Sequence, residues 1–361
     1  MRTIHVFPPS IFASVTAAAF ERWFPATVAA EHEFWVVVRA GAKAGLPVGA
    51  QPEPRLRTLS DTEAFLHLLA LRPGTKLVVH GLFGAYLYLA LCARPDLMRD
   101  ALWMIWGADI EPSQSQGPKS WLISRLHAHA ARSFRHVLSV MKADHAKAVA
   151  RFAGTSRWSG VFYPGIVDEQ LLGAAFEHAQ PVRELRRVVV GNSASESNRH
   201  LPLLERLAAA APSGSRFYLP LSYGDARYRD AVIEAWRARF GAAVSPMVDF
   251  MSLPDYARFL ASVDCGVYYY ERQQGLGNIL MLLALARPVY VPEHSQIQRY
   301  LSELGFAVRG ISQLARELGG PVAPDVRQAC AENRTLCLQL FSDRACRQAW
   351  SQALGIEAAG T

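Results

Sequence analysis

The segment YYYERQQGLGNILMLLALARPVYV, residues 268–291, combines a strand, a glycine turn, a helix and a second strand in a single run. The aromatic residues 268–270 indicate a buried strand, and the apolar residues 279–286 indicate a buried helix. Gly275 and Gly277 lie between them, where a turn into a helix N-terminus can accommodate a phosphate group. The segment therefore predicts an α/β fold with a phosphate-facing turn late in the chain.

The same alternation of short apolar strands and longer helical patterns runs along all 361 residues. A chain of this length is long for one core, and the turn-rich segment 163–182 is a predicted linker between two Rossmann-like domains. The predicted domains are 1–170 and 180–340, with a C-terminal helix at 341–361 that could pack back on the first domain through Trp350. The predicted strands are 3–7, 33–39, 76–81, 101–107, 136–141, 186–193, 215–224, 264–270 and 287–292, and helices are predicted at 61–72, 85–94 and within 329–354.

The composition is that of a globular protein, with 51% hydrophobic and 19% charged residues. The five cysteines are odd in number and never spaced as CxxC, so neither a zinc site nor a disulfide framework is predicted and a reducing compartment is expected. The N-terminus lacks a signal-peptide pattern, and the longest apolar run, residues 279–286, is too short to span a bilayer. The formal net charge of +7 predicts an anionic partner.

A second glycine turn occurs in VVVGNSASESNRH, residues 188–200, where a strand ends and a helix begins. Small residues allow backbone N–H groups to approach a phosphate, and the carboxyl edge of an α/β sheet is where such folds bind ligands. The alternative is an ordinary strand-to-helix loop capped by Ser or Asn. The candidate binding residues are Gly191, Asn192, Ser193, Asn198 and His200.

The turn at 275–277 is flanked by a cation and several amides. An arginine can hold a diphosphate with two parallel hydrogen bonds, although a lone Gly-x-Gly can also be only a tight turn. Two such loops at strand ends favour a shared phosphate site. The candidate residues here are Arg272, Gln273, Gln274, Gly275, Gly277 and Asn278.

The strand end WMIWGADIEP, residues 103–112, places Asp109 beside two tryptophans. An apolar environment raises the pKa of a carboxyl group and suits it to act as a general base. The alternative is that Asp109 caps the next turn. His80, at the end of a neighbouring strand, either faces the same site as a catalytic residue or forms structural hydrogen bonds.

Residues 113–143 contain five Lys and Arg residues and no acidic residue. A helical wheel over 119–137 predicts an apolar face beside a basic stripe, which suits an anionic membrane surface. The alternative is a helix packed on its own sheet with a solvated basic face, and nucleic acid is not favoured because no nucleic-acid-binding motif accompanies the charge. The predicted apolar face is Leu122, Ile123, Leu126, Ala130, Phe134 and Val137, and the predicted membrane-contact residues are Trp121, Leu122, Arg125, Arg132 and Arg135.

Four motifs occur in order along the chain: WMIWGADI, VVVGNSASESNRH, YGDARY and ERQQGLGN. Together they resemble the bacterial 4-acetamido-4,6-dideoxygalactose (Fuc4NAc) transferase family, known from enterobacterial common antigen synthesis. The resemblance extends from the HG pair at 80–81 to the strand at 287–291. It implies a glycosyltransferase of the GT-B fold, in which two Rossmann-like domains face a central cleft.

The resemblance also implies substrates and a location. A nucleotide-sugar donor, a dTDP-sugar in the family's named member, would bind the C-terminal domain, and a polyprenyl-diphosphate-linked saccharide would approach the N-terminal domain. The protein would be peripheral, at the cytoplasmic face of the bacterial inner membrane. The Ala- and Arg-rich composition indicates a background unlike that of the best-known member, so the donor sugar and nucleobase stay open.

The matching residues carry the family's site onto this sequence. The family's GNS matches residues 191–193, and its RQQG-G stretch matches residues 272–277, both as donor-binding segments. Its WGAD matches residues 106–109, which makes Asp109 the predicted base for the acceptor hydroxyl. Tyr223 lies in a GY-like loop whose residue order differs here.

The resemblance implies a reaction without a metal or other cofactor, because helix N-termini and Arg272 would neutralise the leaving diphosphate. Many retaining GT-B enzymes carry two Glu separated by seven residues, but counting from Glu271 reaches Ile279, which favours inversion. Retention would change the role of Asp109 to acceptor binding. Two other hypotheses stay open: a non-catalytic nucleotide- or sugar-binding protein, and a soluble glycosyltransferase with a diffusible acceptor.

Overall fold

The computed structural model describes residues 2–39, 55–111, 117–209, 211–270 and 274–356. The chain divides into two compact units, of which the first comprises Met1–Pro164 and Cys346–Thr361 and the second comprises Gly165–Ala345. Each unit is a parallel β-sheet with helices, as the alternating pattern predicts.

The first unit contains a seven-stranded sheet in the order β3-β2-β1-β4-β5-β6-β7, and every pairing is parallel. Its strands are β1 Thr3–Phe7, β2 His32–Val38, β3 Leu56–Ser60, β4 Lys76–His80, β5 Leu102–Met104, β6 His136–Ser139 and β7 Arg157–Gly160. Its helices are α1 Ile11–Trp23, α2 Ala26–Ala29, α3 Asp61–Leu69, α4 Ala85–Ala93, α5 Pro95–Met98, α6 Pro118–Ser133 and α7 Lys142–Phe152, with a 3₁₀ turn at Ala108–Ile110.

The central strands of this sheet are apolar because helices cover both faces of a parallel sheet. Val6 of β1 lies opposite Trp35 of β2 and Val79 of β4, and all three side chains are buried. The sequence run KLVVH of β4 therefore belongs to the hydrophobic core and not to a half-exposed strand.

The second unit contains a six-stranded parallel sheet in the order β10-β9-β8-β11-β12-β13. Its strands are β8 Arg187–Val190, β9 Arg216–Pro220, β10 Val244–Met247, β11 Cys265–Val267, β12 Val289–Val291 and β13 Arg309–Gly310. Its helices are α8 Glu169–Glu177, α9 His200–Ala208, α10 Ala226–Phe240, α11 Leu253–Ser262, α12 Leu276–Ala284, α13 Gln296–Glu303, α14 Ile311–Glu317 and α15 Pro324–Leu340, with 3₁₀ turns at Glu196–Asn198 and Gly241–Ala243.

Local sequence explains where these helices begin and why one is buried. Asp225 and Ser252 cap α10 and α11 by accepting backbone N–H hydrogen bonds with their side chains. Helix α12 is buried along residues 279–284, as its continuous apolar sequence predicts.

A last helix, α16 Asp343–Leu354, carries the chain from the second unit into the first. Within the first unit, Trp350 is completely buried, and its Nε1 donates a hydrogen bond to the Phe162 carbonyl oxygen at 3.0 Å. Its ring lies 5.7 Å from the His80 ring. The end of the chain thus covers the central strands β1 and β4.

The strand order of each sheet reverses once, between β1 and β4 in the first unit and between β8 and β11 in the second. At such a point the loops leaving the two neighbouring strands run to opposite sides and leave a crevice at the carboxyl edge. We call these two places the first and the second switch point. The loops at these points and after the adjoining strands β5 and β9 position most of the residues described below.

Candidate active site

The loop after β8 passes through Gly191, whose φ of +66° favours glycine. A Cβ on this residue would lie 2.6 Å from Nε2 of His200 and 3.0 Å from Oδ1 of Asn198. The glycine is therefore required both by its backbone conformation and by the side chains packed beneath it.

Asn198 holds this loop in shape. Its Oδ1 accepts a hydrogen bond from the Asn192 backbone N at 3.2 Å, and its Nδ2 donates to the backbone and side-chain oxygens of Ser193, each at 3.0 Å. His200 lies under the same loop, and burial lowers its pKa to about 4, so the ring is neutral. Both side chains are fully buried beneath the loop, which corrects the expectation that they would contact a donor directly.

The loop after β9 lies against the first loop. The Tyr223 hydroxyl oxygen accepts a hydrogen bond from Asn192 Nδ2 at 2.9 Å, while 59% of the Tyr223 side chain is exposed. A Cβ on Gly224 would overlap the Ala194 carbonyl, so glycine is required for this close approach. The structure therefore brings Tyr223 to the 191–193 loop, and its role in binding stays a prediction.

The loop after β11 ends at Gly275, which precedes the first residue of α12 with a φ of +65°. A Cβ on Gly275 would overlap the Tyr270 hydroxyl and would lie 2.9 Å from Oδ1 of Asn192. Gln274 accepts a hydrogen bond from the Ser197 hydroxyl at 2.8 Å, which also links this loop to the first. The two glycine loops therefore meet at the second switch point.

Besides Nε2 of His200 beneath the first loop, two polar atoms at this meeting point have no hydrogen-bond partner within the described ranges. They are Oδ1 of Asn192 and the hydroxyl of Tyr270, and both side chains are buried. Buried polar atoms are normally paired, so an unpaired acceptor and an unpaired donor make this meeting point a candidate for contacts with hydroxyl and anionic groups. The N-terminus of the nine-residue helix α12, beginning with Leu276, adds free N–H groups and a partial positive charge.

The other residues that the sequence predicts to bind from this segment do not all lie in the loop. Gly277 and Asn278 lie in the first turn of α12 and are partly buried, and a Cβ on Gly277 would meet only the Ile166 side chain at 3.6 Å. Arg272 and Gln273 lie outside the described residues. Tyr270 is a site residue that the sequence pattern assigns only to a buried strand, although β11 ends at Val267, before the three tyrosines.

In the first unit, Asp109 is buried and its carboxylate accepts three hydrogen bonds. Oδ2 accepts from the Leu82 backbone N at 2.9 Å and from Trp103 Nε1 at 2.8 Å, and Oδ1 accepts from the Trp106 backbone N at 2.9 Å. Burial raises the pKa of Asp109, while these donors act in the opposite direction. The carboxylate joins the loops after β4 and β5, and its role as a base stays a prediction.

His80 is completely buried and does not face open space, which corrects the expectation that it contacts substrate as a catalytic residue. Its Nδ1 lies 2.7 Å from the Tyr163 hydroxyl, its Nε2 lies 3.1 Å from Nδ1 of His5, and its ring stacks on Phe7 at 3.6 Å. Burial lowers its pKa well below the usual value. Sequence reasoning missed Tyr163 and His5 because they are far from His80 along the chain.

Helix α6 presents two large apolar side chains to solvent at its N-terminal end. Trp121 is 62% exposed and Leu122 is 53% exposed, and the Arg125 guanidinium lies over the Trp121 ring at 5.2 Å. Arg132 and Arg135 are also exposed.

The predicted apolar face of this segment is corrected in two ways. Leu122 points outward, whereas Ile123 and Leu126 pack against the core. The helix ends at Ser133, so Phe134 and Val137 are not on it, and residues 136–139 form β6.

Two kinds of feature are absent from the described part of the chain. No group of three or more His, Cys, Asp or Glu side chains is placed to bind a metal ion there. None of the helices in that part combines the length and apolarity needed to cross a bilayer.

A family model matches residues 20–358, nearly the whole chain. Its description is 4-alpha-L-fucosyltransferase, glycosyl transferase group 56. The match includes the loops of the second switch point and, at the first, the loops after β4 and β5, whereas the loop after β1 precedes the matched range.

Several solved structures have a similar fold. An α,α-trehalose-phosphate synthase (UDP-forming) from Burkholderia vietnamiensis has a TM-score of 0.66 at 12% identity, with 98% of this chain and 100% of that chain covered. A sucrose-phosphate synthase from Thermosynechococcus elongatus has a TM-score of 0.65 at 14% identity, with 98% of each chain covered. Anabaena HepE, solved in complex with UDP and glucose, has a TM-score of 0.68 at 11% identity, with 98% and 100% covered. These likenesses confirm the predicted GT-B fold class.

Proposed function

The chain belongs to the 4-alpha-L-fucosyltransferase family, glycosyltransferase group 56, and from this premise we propose which sugar, donor and acceptor it uses. It transfers a hexose of the 4-acetamido-4,6-dideoxy type from a nucleotide diphosphate to a polyprenyl-diphosphate-linked saccharide. The reaction takes place at an anionic membrane surface, as in bacterial surface polysaccharide synthesis. Family membership itself makes the protein a glycosyltransferase.

The observation that carries the donor assignment is the pair of atoms at the second switch point that have no partner in the described part of the chain. The Tyr270 hydroxyl can donate a hydrogen bond to a phosphate oxygen, and Asn192 Oδ1 can accept one from a hydroxyl of the sugar or ribose. The N-terminus of α12 favours the negative charge of a diphosphate. HepE was solved with UDP and glucose, which supports a nucleoside diphosphate here, and the motif resemblance favours dTDP.

The chemistry requires charge stabilisation on the leaving group. An acceptor hydroxyl oxygen forms a bond to the anomeric carbon, the bond from that carbon to the diphosphate oxygen breaks, and the diphosphate departs with the electron pair. The α12 N-terminus and Tyr270 lie where they can stabilise that charge, and Arg272 joins them on the sequence assignment alone. The proton of the acceptor hydroxyl passes to a base, the role that the sequence predicts for Asp109.

The membrane assignment is supported by the exposed end of α6. Trp121 and Leu122 form an apolar tip beside Lys119 and Arg125, an arrangement that suits insertion between anionic headgroups. At low salt, the wild-type protein should therefore float with phosphatidylglycerol liposomes. A variant in which Trp121 and Leu122 are both replaced by Ala should not float with them. Leu66→Ala is the matched control, because Leu66 is 59% exposed on α3 of the same unit. Absence of wild-type flotation would favour a soluble enzyme with a diffusible acceptor.

Transfer itself can be tested with purified protein. dTDP-, UDP- and GDP-sugars are first compared by the rise in melting temperature that each produces, since ligand binding stabilises the native state. The donor that stabilises the protein is then incubated with a farnesyl-diphosphate-linked disaccharide, and the trisaccharide product is measured by mass spectrometry. Stabilisation without product, with or without liposomes, would favour a non-catalytic binding protein. Absence of stabilisation by every one of these nucleotide sugars would contradict the donor assignment.

A further inference from the structure

Three partly exposed aromatic side chains gather at the first switch point. Phe12 follows β1, Phe83 follows β4 and Trp106 follows β5, so all three lie at the carboxyl edge of neighbouring strands. The Trp106 ring is edge-on to Phe12 at 5.8 Å and to Phe83 at 6.1 Å. We call these three residues the aromatic platform.

Trp106 is fixed at two points. Its indole Nε1 donates a hydrogen bond to the Tyr163 hydroxyl oxygen at 2.7 Å, and its backbone N donates to Asp109 at 2.9 Å. The polar edge of the indole is therefore already satisfied within the protein, and the ring is held in one orientation. Phe12 stacks on Tyr163 at 4.4 Å, which links the platform to the same anchor.

A line of three buried histidines continues from Tyr163 into the sheet. His80 Nδ1 lies 2.7 Å from the Tyr163 hydroxyl, His80 Nε2 lies 3.1 Å from His5 Nδ1, and His5 Nε2 lies 3.0 Å from His32 Nδ1. The line crosses from β4 through β1 to β2, and Trp350 and Phe20 pack against it. We call His80, His5 and His32 the histidine line.

The protons of this line can be assigned from its ends. An indole N–H only donates, so the Tyr163 oxygen accepts from Trp106. In the described chain Tyr163 has no other hydrogen-bond contact than Trp106 and His80, so its O–H must donate to His80 Nδ1. Burial lowers the pKa of each histidine, to about 4 for His32, so each neutral ring has one N–H. His80, His5 and His32 must all carry that proton on Nε2, and every hydrogen bond in the line points away from Tyr163.

We propose that the aromatic platform binds a sugar ring of the acceptor saccharide, and that Tyr163 and the histidine line are positioning residues that fix Trp106 for this contact. The inference rests on the proposed function, since it concerns the acceptor of that transfer. One face of a pyranose ring presents C–H groups that pack on an aromatic ring, while its hydroxyl groups remain at the rim. Because the Trp106 indole N–H already donates to Tyr163, this N–H is not available to a ligand. The platform therefore suits a neutral sugar ring better than a diphosphate.

The first test measures acceptor use with a farnesyl-diphosphate-linked disaccharide as probe. Trp106→Ala should raise the KM for this probe about tenfold or more, because an aromatic stacking contact accounts for roughly that factor, while the Kd for the donor nucleotide is unchanged. Trp106→Phe keeps an aromatic face and should raise the KM for the probe less than Trp106→Ala does. Trp158→Phe is the matched control, because Trp158 is also partly exposed in the first unit and its Nε1 donates to Ser139 Oγ at 2.9 Å.

The second test addresses the positioning residues. Nitrogen-15 NMR of labelled histidine should show His80, His5 and His32 as Nε2–H tautomers at pH 7. Tyr163→Phe removes the acceptor of the Trp106 N–H and should raise the KM for the same probe several-fold, with kcat nearly unchanged and with an altered His80 nitrogen signal. An Nδ1–H tautomer at His80 would overturn the assignment of the line.

The platform and the proposed transfer can fail separately. Wild-type turnover with an unchanged KM in both Trp106 variants would overturn the platform and leave the transferase intact. Absence of wild-type turnover would count against the proposed transfer, and saturation-transfer NMR would then show whether the sugar protons of the disaccharide still contact wild-type protein and lose that contact in Trp106→Ala. Farnesyl diphosphate without the disaccharide is the comparison probe: equal binding of the two compounds would assign the platform to the prenyl chain and overturn the sugar assignment.

Discussion

The two switch points have the same topology but differ in the hydrogen bonding of their central polar side chains, although Ser10 Oγ, in the loop after β1, also lacks a partner in the described chain. At the first, the polar atoms of Trp106 and Tyr163 are paired with one another and with His80, and aromatic faces remain at the surface. At the second, Asn192 and Tyr270 each keep a buried polar atom without a partner in the described chain. The difference teaches that the fold supplies the crevice, whereas the satisfaction of polar atoms decides which ligand chemistry fits it.

The glycines of the two switch points show the same contrast in their surroundings. Gly191 and Gly275 let the loops of the second switch point approach one another so closely that any Cβ would meet a polar side chain. At the first switch point a Cβ on Gly81 would meet the rings of Phe83 and Trp106 instead. Polar groups therefore surround one crevice and aromatic rings the other.

The largest expected difference between the two units is their response to acid. A buried histidine with a lowered pKa binds no proton in the folded state at pH 5 to 6, whereas the unfolded chain, with a pKa of about 6.5, does. Its stabilising contribution is complete above pH 6.5 and is lost as the pH falls toward the folded-state pKa, at up to about 1.4 kcal/mol per pH unit for each residue. The described part of the first unit has five histidines with lowered pKa values, against His200 in the second; these five are His5, His32, His80, His127 and His136.

Hydrogen exchange should therefore show that the free energy of opening of the first unit falls by several kcal/mol between pH 7 and pH 4.5. The free energy of opening of the second unit should fall less. Asp109, whose pKa is raised by burial, acts in the opposite sense but is a single group. Equal acid sensitivity of both units would contradict the neutral state of the histidine line.

The next largest effect is expected at Gly275. An alanine there would have to adopt a φ of +65° and would displace the Tyr270 hydroxyl and Asn192. Transfer should fall about a hundredfold, as for a displacement of about 1 Å in a binding group, and nucleotide sugars should no longer raise the melting temperature. Gly165→Ala carries a similar φ of +77° with open space around its Cβ and controls for backbone strain alone. Equal loss in both variants would assign the effect to strain and not to the donor site.

A smaller effect is expected for Asp109→Asn. The amide keeps the shape of the carboxylate but presents N–H donors, so it cannot accept hydrogen bonds from the Leu82, Trp103 and Trp106 N–H groups together. Chemical denaturation should show a loss of about 1–3 kcal/mol, the cost of leaving a buried donor unsatisfied. A variant with unchanged stability and no turnover would instead support Asp109 as the base alone.

The sequence predicted the interior of both sheets better than their edges. All nine predicted strands are present, seven of them shortened, and the four strands it missed, β3, β7, β10 and β13, are the four edge strands. Edge strands have one neighbour and keep exposed or partly exposed residues, so they lack the apolar run that identifies a buried strand. The helical wheel over 119–137 failed for a related reason, since periodicity alone did not indicate that α6 ends at Ser133.

The candidate site was predictable only as far as it lies in continuous motifs. Gly191 and Gly275 were recognisable because glycine at a strand end has a local physical reason. The roles of Asn198 and His200 were not, because residues a few positions further along fold back beneath their own loop. The histidine line joins residues 5, 32 and 80 from three strands, and only the strand order brings them together.

The most direct test of the contrast between the two switch points is a calorimetric titration of dTDP and UDP into three proteins: wild type, Tyr270→Phe and Trp106→Phe. Tyr270→Phe removes one hydroxyl that can bond to the diphosphate, and it should weaken nucleotide binding about tenfold, the usual effect of a hydrogen bond to a charged group. Trp106→Phe should bind the nucleotide as the wild type does. Weakened nucleotide binding in Trp106→Phe together with wild-type binding in Tyr270→Phe would contradict the account.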